Sequence, residues 1–256
     1  MSSFTFKQFA INQDRCAMKV GTDGVLLGAW ARVAHCRRVL DIGTGTGLVA
    51  LMAAQRSQAH IVAIDLDADA VAQAAENAAA SPWPARIQVM EVDAREIDNS
   101  DVSILHSEST HPEANSEFRI HNSGFLFDAI LCNPPFFENA LKSPDAARTM
   151  ARHTDTLSFD ELARSAARLL SPEGELSVII PYDRAHDMTV SAACQGLFAT
   201  RQTIVVPVEG GKPKRMLMAF SLEGQPHRVE TLCIHDAQRR PTADYVSLVE
   251  DFYLKM

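Results

Sequence analysis

The chain has 256 residues, of which 46% are hydrophobic and 22% are charged, enough for one large domain with a well-buried core. Its formal net charge of −8 argues against a protein that coats nucleic acid indiscriminately, because neutralising phosphates requires a basic surface, although a local basic patch is compatible with it. No apolar run has the length of a membrane span, and the N-terminal MSSFTFKQFAINQDR lacks the apolar segment of a signal peptide. We therefore expect a cytoplasmic protein without a membrane partner.

The cysteine and histidine residues predict neither disulfide bonds nor a metal site. The five cysteines are scattered and never form a C-x-x-C pair, and the nine histidines show no ligand spacing such as H-E-x-x-H. We predict that the protein contains no metal.

The first predicted helix lies within KVGTDGVLLGAW, residues 19–30, with Thr22 or Asp23 as its N-cap. The preceding turn either only caps this helix or also covers a ligand bound beside it. The residue pattern leaves these two readings open.

Short apolar runs then alternate with amphipathic helical patterns. Five of these runs indicate buried strands: 37–43, 60–66, 87–93, 127–133 and 174–181. The alternation predicts an α/β fold with a doubly wound, mostly parallel sheet, and a ligand at the carboxyl ends of its strands, where the strand order reverses.

Two later runs, 201–208 and 215–222, are joined by EGGKPK, which is too short for a crossover helix. They predict an antiparallel C-terminal hairpin and bring the sheet to about seven strands. We predict a single domain, 1–256, in which residues 1–36 cover the ligand, 98–124 form a polar surface insertion and 224–256 form an extension ending in a helix.

The segment VLDIGTGTGLVAL places Gly43, Gly45 and Gly47 between a strand and a helix, where the backbone can turn tightly and approach a ligand. Sites for NAD, FAD and S-adenosylmethionine all use such a turn. The G-x-G-x-G spacing differs from G-x-G-x-x-G, and Asp41 would repel a pyrophosphate, whereas it can order the loop or meet a cationic aminoacyl group.

Two further acids follow the next strands. Asp65 stands where an acid binds ribose hydroxyls, and Asp93 could accept a hydrogen bond from an adenine amino group. Each acid could instead merely cap the following helix. Together with Asp41, however, they would all face one crevice, which favours a binding site.

The fourth strand ends at Asn133-Pro134-Pro135-Phe136. The Asn133 side-chain oxygen and the Pro134 carbonyl can both accept from one NH₂ group, the double proline would fix that geometry, and an aromatic ring could stack on a planar base. This arrangement predicts methyl transfer to an exocyclic amine. The alternative is a proline-rich turn packed on the core.

The motifs DIGTGTG, AIDLD and NPPF resemble those of class I S-adenosylmethionine-dependent amine N-methyltransferases, which have a Rossmann-like fold. The segments FTFKQF, DRCAMKVGTDGVLLGAWA, SPW, ARHTDTL, LMAFS and DFYLKM extend the resemblance to the bacterial tRNA1(Val) adenine-37 N6-methyltransferases. That resemblance implies direct in-line methylation of N6 of adenosine 37, immediately 3′ of the anticodon, with S-adenosylmethionine as cofactor and tRNA as partner.

The resemblance also implies roles for individual residues. The catalytic set is Asn133, Pro134, Pro135 and Phe136. The cofactor-binding set is Lys19, Thr22, Asp23, Gly24, Asp41, Gly43, Gly45, Gly47, Asp65, Leu66, Asp93 and Asn133. Phe136 stands where the family more often has tyrosine, and the insertion at 98–124 is longer than usual, which leaves the RNA selectivity open.

Basic residues after the catalytic motif and on the late hairpin could track phosphates, although a solvated surface explains each of them singly. They are Lys142, Arg148, Arg152, His153, Lys212, Lys214 and Arg215.

Alternative functions are a protein-glutamine N5 or rRNA guanine-N2 methyltransferase, a non-catalytic RNA-binding protein and, least in keeping with the glycine spacing, a nicotinamide dehydrogenase. We expect a monomer.

Overall fold

The computed structural model describes residues 3–16, 19–97, 126–134 and 157–255. The predicted insertion at 98–124 lies outside these ranges. The strands are β1 (Ser3–Thr5), β2 (Ala10–Asn12), β3 (Arg38–Ile42), β4 (His60–Asp65), β5 (Ile87–Glu91), β6 (Phe127–Cys132), β7 (Leu170–Pro181), β8 (Phe198–Val208), β9 (Arg215–Ser221) and β10 (Arg228–His235). The helices are α1 (Thr22–Trp30), α2 (Leu48–Arg56), α3 (Ala68–Ala79), α4 (Phe159–Leu169), α5 (Ala185–Cys194) and α6 (Ala243–Val249).

Within the described ranges, the main sheet has eight strands in the order β10-β8-β9-β7-β6-β3-β4-β5. Strand β9 runs antiparallel to both β7 and β8, and the other neighbouring pairs are parallel. This confirms the predicted α/β fold with its C-terminal antiparallel hairpin. The order reverses at β3, which has β4 on one side and β6 on the other, so the expected ligand crevice lies at the ends of these three strands.

The eighth strand, β10, was not predicted as a strand. Its first four residues are exposed, and it lies at the sheet edge, parallel to β8. Because only its second half carries buried side chains, Leu232 and Ile234, the strand needs no continuous apolar run and its sequence carries little strand signal. Helix α6 packs against β10 and α1, with Tyr245 and Val249 buried.

The core lies on both faces of the sheet because successive side chains of a buried strand alternate between faces. On β3, Val39 packs into a cluster with α1 and α2, whereas the adjacent Leu40 packs into a second cluster with α4 and α5. This two-sided burial explains why the central strands read as continuous apolar runs.

The predicted capping of α1 is wrong. Gly21, which has no side chain, occupies the N-cap position. Asp23 lies in the first turn, where its carboxylate accepts a hydrogen bond from Arg215 Nε at 2.7 Å.

Within the described ranges, no helix is both long and apolar enough to cross a membrane.

Asn77 holds the N-terminal ribbon, which is the antiparallel pair of β1 and β2, against the rest of the fold. Its side chain is 1% exposed, its oxygen accepts from the Asn12 N–H at 2.9 Å, and its nitrogen donates to the carbonyls of Asn12 and Thr46, both at 2.8 Å. Because Thr46 belongs to the glycine-rich turn, one amide joins three segments that are remote in sequence.

We expect Asn77→Ala to lower the free energy of unfolding by about 3 kcal/mol, because it leaves buried backbone groups without partners. Urea denaturation measures this change. Glu76→Ala is the matched control on the same helix: its ion pair with Arg15 is half exposed, so the loss should stay below about 1 kcal/mol. If both variants lost the same free energy of unfolding, the hydrogen bonds of Asn77 would not hold the ribbon as proposed.

Candidate functional site

Two cavities adjoin at the carboxyl ends of β3, β4 and β6, and Gly43 lines both of them. The first cavity has a volume of about 690 Å³ and is lined by Lys19, Gly21, Thr22, Asp23, Gly24, Asp41, Gly43, Thr44, Gly45, Thr46, Leu48, Val49, Asn133 and Arg215. The second has a volume of about 130 Å³ and is lined by Ile42, Gly43, Ile64, Asp65, Leu66, Val92, Asp93, Ala94, Arg95, Cys132, Pro134 and Leu157. They form one elongated site with a polar part and a smaller, more apolar part.

The glycine-rich turn between β3 and α2 forms the wall between the cavities. Gly43, Gly45 and Gly47 have φ values of 70°, 55° and 81°, in the left-handed region that disfavours residues with a Cβ. At Gly47 space is also short, because a Cβ there would lie 3.3 Å from Ala74 Cβ. Glycine is therefore the residue that takes this path with the least strain.

Asp41 orders this turn from beneath. Its carboxylate is 1% exposed, and Oδ2 accepts from Thr44 Oγ1 at 2.6 Å and from the Ala50 N–H at 3.1 Å. Burial raises the pKa of the Asp41 carboxyl to about 7, and the two hydrogen bonds offset part of that rise. Because Asp41 also lines the first cavity, it can both hold the turn and face a cationic ligand group.

Asp65 connects the turn to the end of β4. Oδ2 accepts from the Gly45 N–H at 2.8 Å, and Oδ1 accepts from the Asp67 N–H at 3.1 Å. A carboxylate has about four lone-pair positions, so each oxygen keeps acceptor capacity toward the second cavity. Leu66, beside it on the same cavity, is 47% exposed.

The Asp93 carboxylate already accepts several hydrogen bonds from Arg95, which the sequence did not suggest. Arg95 Nε donates to both carboxylate oxygens, its Nη2 donates to Oδ2, and the Arg95 backbone N–H donates to Oδ1. These bonds hold the pKa of the Asp93 carboxyl below its usual value. An adenine amino group would compete with Arg95 for this acid.

Asn133 lies where the two cavities meet. It lines the first cavity and the following Pro134 lines the second. A Cβ on Gly24 would lie 4.0 Å from Asn133 Nδ2, so the start of α1 is close to this amide. Pro135 and Phe136 lie outside the described residues.

The wall of the first cavity includes the segment before α1, the first turn of α1 and the late hairpin. Lys19, Thr22 and Asp23 line it from one side and Arg215 from the other, with the Asp23–Arg215 ion pair spanning 2.7 Å. Arg215, which the sequence predicted as an RNA contact, thus stands on the cavity wall with its charge paired.

The remaining predicted RNA contacts divide into two groups. Lys212 and Lys214 are exposed in the β8–β9 connection. Lys142, Arg148, Arg152 and His153 lie outside the described residues. The described part of the chain contains no group of three or more side chains suited to hold a metal ion.

Sequence reasoning missed several residues that shape the site. Thr44 and Arg95 each bond to a predicted acid, and Gln73 and Asn77 hold the segment that leads to Lys19. Amphipathic periodicity assigns polar helix residues to solvent, so it gave no signal for Gln73 and Asn77, which are 2% and 1% exposed.

Comparison with known proteins agrees with this geometry. Residues 39–119 match the family model of a methyltransferase domain. A tRNA1(Val) (adenine(37)-N6)-methyltransferase of Phocaeicola vulgatus is 47% identical over 253 residues, covering 99% of this chain and 98% of the relative. The enzyme of the same name from Bacteroides fragilis is 44% identical with the same coverage. Among solved structures, a "predicted O-methyltransferase" from Agrobacterium tumefaciens has the same fold, with a TM-score of 0.61, 21% identity and coverage of 90% and 96% of the two chains.

The buried Asp41 carboxyl predicts a pH dependence of stability. Its pKa is higher in the folded than in the unfolded state, so its contribution to stability is complete below the unfolded value of 3.8 and is lost as the pH rises through about 7. We expect Asp41→Asn to remove roughly 2 kcal/mol of the decrease in the free energy of unfolding between pH 5 and pH 8, because one amide oxygen can accept both bonds and does not ionise.

Urea denaturation at several pH values measures this difference. Asp160→Asn, at an exposed carboxylate, is the control and should keep the wild-type pH profile. Parallel profiles for wild type and Asp41→Asn would show that the buried carboxyl does not titrate in this range.

Proposed function

Because this chain belongs to the tRNA1(Val) (adenine(37)-N6)-methyltransferase family, we propose that it transfers a methyl group from S-adenosylmethionine to N6 of adenosine 37 of tRNA1(Val). The observation that carries the proposal is the position of Asn133 and Pro134 at the junction of two cavities. One cavity has the charges for an amino-acid group and the other has the acid and apolar surface for a nucleoside.

The first cavity suits the aminoacyl end of the cofactor. Asp41 can face an ammonium group, while Lys19 offers positive charge to a carboxylate. The Asp23–Arg215 ion pair keeps the start of α1 against the hairpin. One acidic and one basic side chain in the same cavity would set the orientation in which the amino acid binds.

The second cavity suits the adenosine end. Asp65 keeps lone pairs for ribose hydroxyls after bonding Gly45 and Asp67. The exposed apolar surface of Leu66 would be covered by an adenine ring, which is favourable because apolar area leaves water. Asp93 would reach the adenine amino group only by giving up a bond from Arg95.

When bound, S-adenosylmethionine supplies an electrophilic methyl group. The protein then has to orient the accepting nitrogen: the Asn133 side-chain oxygen and the Pro134 carbonyl accept from the NH₂ group and turn its lone pair toward the methyl. The proton that N6 loses can pass to water, so the task is mainly one of position. Lys212 and Lys214 would contact RNA phosphates near the site.

We expect Asn133→Ala to lower the turnover rate by at least about 100-fold while the affinity for S-adenosylmethionine changes little, because the amide acts on the acceptor. The assay incubates the protein with labelled S-adenosylmethionine and tRNA from cells lacking the enzyme, and identifies the methylated nucleoside by mass spectrometry. Gln88→Ala, at an exposed amide on β5, is the control and should keep full activity.

N6-methyladenosine at position 37 that disappears with Asn133→Ala is the expected result. Methyl label in guanine or in a glutamine of a release factor would replace the proposed acceptor with another NH₂ group. Loss of cofactor binding together with turnover in Asn133→Ala would place the residue in cofactor binding.

We expect Asp65→Asn to weaken S-adenosylmethionine binding by roughly tenfold or more, because a hydrogen bond to a carboxylate exceeds one to an amide by about 1–2 kcal/mol. The amide oxygen can still accept from Gly45, so the turn should remain ordered. Isothermal titration calorimetry measures the affinity, with Asp67→Asn at the exposed neighbouring acid as the control. Unchanged affinity in a folded Asp65→Asn protein would remove this acid from the cofactor site.

A further inference from the structure

Large aromatic side chains are seldom exposed in the described part of the chain. Tyr182 and Phe198 are the two whose exposure is high, at 40% and 54%. They lie at opposite ends of the sheet, because β7 ends at Pro181 beside the cavities, whereas Phe198 begins β8 and pairs with Ser221 at the far end. Only Tyr182 is therefore placed near the candidate site.

The strand register places Tyr182 beyond the end of β7, the strand next to the one that leads to Asn133. Strands β6 and β7 are parallel, with Cys132 opposite Val178, so the residue level with Asn133 is Ile179. Tyr182 follows three residues later, and at about 3.3 Å per residue it stands roughly 10 Å farther out from the sheet than the level of Asn133. The target amine would bind at the strand end, and Tyr182 would stand above it at the mouth.

The backbone around Tyr182 is attached to the hairpin that carries the cavity wall. Its N–H donates to the Lys214 carbonyl at 3.2 Å, and the preceding Pro181 pairs with Arg215. This connection keeps the ring at a defined height above the cavity. An exposed aromatic ring on an anchored backbone loses little conformational freedom when it binds a flat partner.

The charges around the ring suit a polyanion locally, although the chain as a whole carries −8. Lys212 and Lys214 are both exposed on the adjoining connection. Asp183 is exposed as well and carries the opposite charge. Because Arg184 forms an ion pair with Asp187, the attraction for RNA phosphates depends on Lys212 and Lys214. Proteins that bind single-stranded nucleic acid combine aromatic rings, which stack on bases, with basic side chains, which attract the phosphates.

We propose that Tyr182 is a stacking platform for an unpaired base next to the target adenosine in the RNA substrate. Extending one base from a stack into a pocket exposes the face of its neighbour, and an aromatic ring at the pocket mouth replaces the lost stacking. This inference rests on the proposed function and adds a residue that selects the substrate without touching the reacting atoms.

The first test compares Tyr182→Ala, Tyr182→Phe and Phe198→Ala in methylation of an anticodon stem-loop RNA. We expect Tyr182→Ala to raise KM for the RNA roughly tenfold, with kcat at saturating RNA and the affinity for S-adenosylmethionine close to wild type. Tyr182→Phe keeps the ring and should retain most of the affinity. Phe198→Ala, at the other end of the sheet, should behave as wild type.

The second test finds the partner base. Stem-loop RNAs with a single abasic site at each position around adenosine 37 are assayed with wild type and Tyr182→Ala. In wild type, one abasic position should raise KM about as much as Tyr182→Ala does, and in the variant the same position should have no further effect, since the contact is already lost. Independent, multiplying effects at every position would overturn the proposal.

The outcomes separate the two proposals. A wild-type protein that methylates no RNA contradicts the proposed function itself. Active wild type with an unchanged KM in Tyr182→Ala overturns the stacking role alone. The ring would be structural if Tyr182→Ala lowered the thermal stability and the affinity for S-adenosylmethionine but left KM for the RNA unchanged. Tyr182→Phe should then have wild-type stability and cofactor affinity.

Discussion

The site depends on the hydrogen bonds that the buried carboxylate of Asp41 accepts. It lies at the end of a central strand, and its hydrogen bonds to Thr44 and Ala50 tie the glycine-rich turn to the start of α2. The turn separates the two cavities and contributes Gly43 to both. Burial makes an ionised carboxylate costly, and the hydrogen bonds from Thr44 and Ala50 offset part of that cost.

The outer walls of the site come from parts of the chain that are far apart in sequence. The ribbon before α1 is held by Asn77 and Gln73 of α3, and the hairpin is held to α1 by the Asp23–Arg215 ion pair. The segment bearing Lys19 and Thr22 is therefore supported on both sides. A site bounded in this way can place two reactants close together without a strong acid or base.

The ionisable groups around the cavities fit that role. The Cys132 thiol is buried and its pKa is raised, which leaves it inert as a nucleophile. Asp93 is held by Arg95, and Asp65 bonds backbone donors on two sides. Burial raises the pKa of the Asp41 carboxyl to about 7, and its position below the turn suits binding better than proton transfer.

The sequence by itself determined the features whose signals are local. Three glycines with positive φ, acids at the ends of three apolar strands and an amide followed by prolines can each be recognised within one segment. Backbone conformation and strand burial affect the choice of residues within a few positions, which is why these signals are local. Parallel order followed from alternation of strand and helix, which admits few connections. These signals were sufficient for the fold class, and they selected residues that line the two cavities.

Only the tertiary structure decided which polar groups meet. Asp23 and Arg215 are 192 residues apart, and nothing near either one marks it as the partner of the other. Asn77 and Gln73 break the apolar pattern of α3, yet they are buried because remote backbone groups supply their hydrogen bonds. The edge strand β10 and the height of Tyr182 above Asn133 likewise depend on register, and a register forms only when separate strands pair.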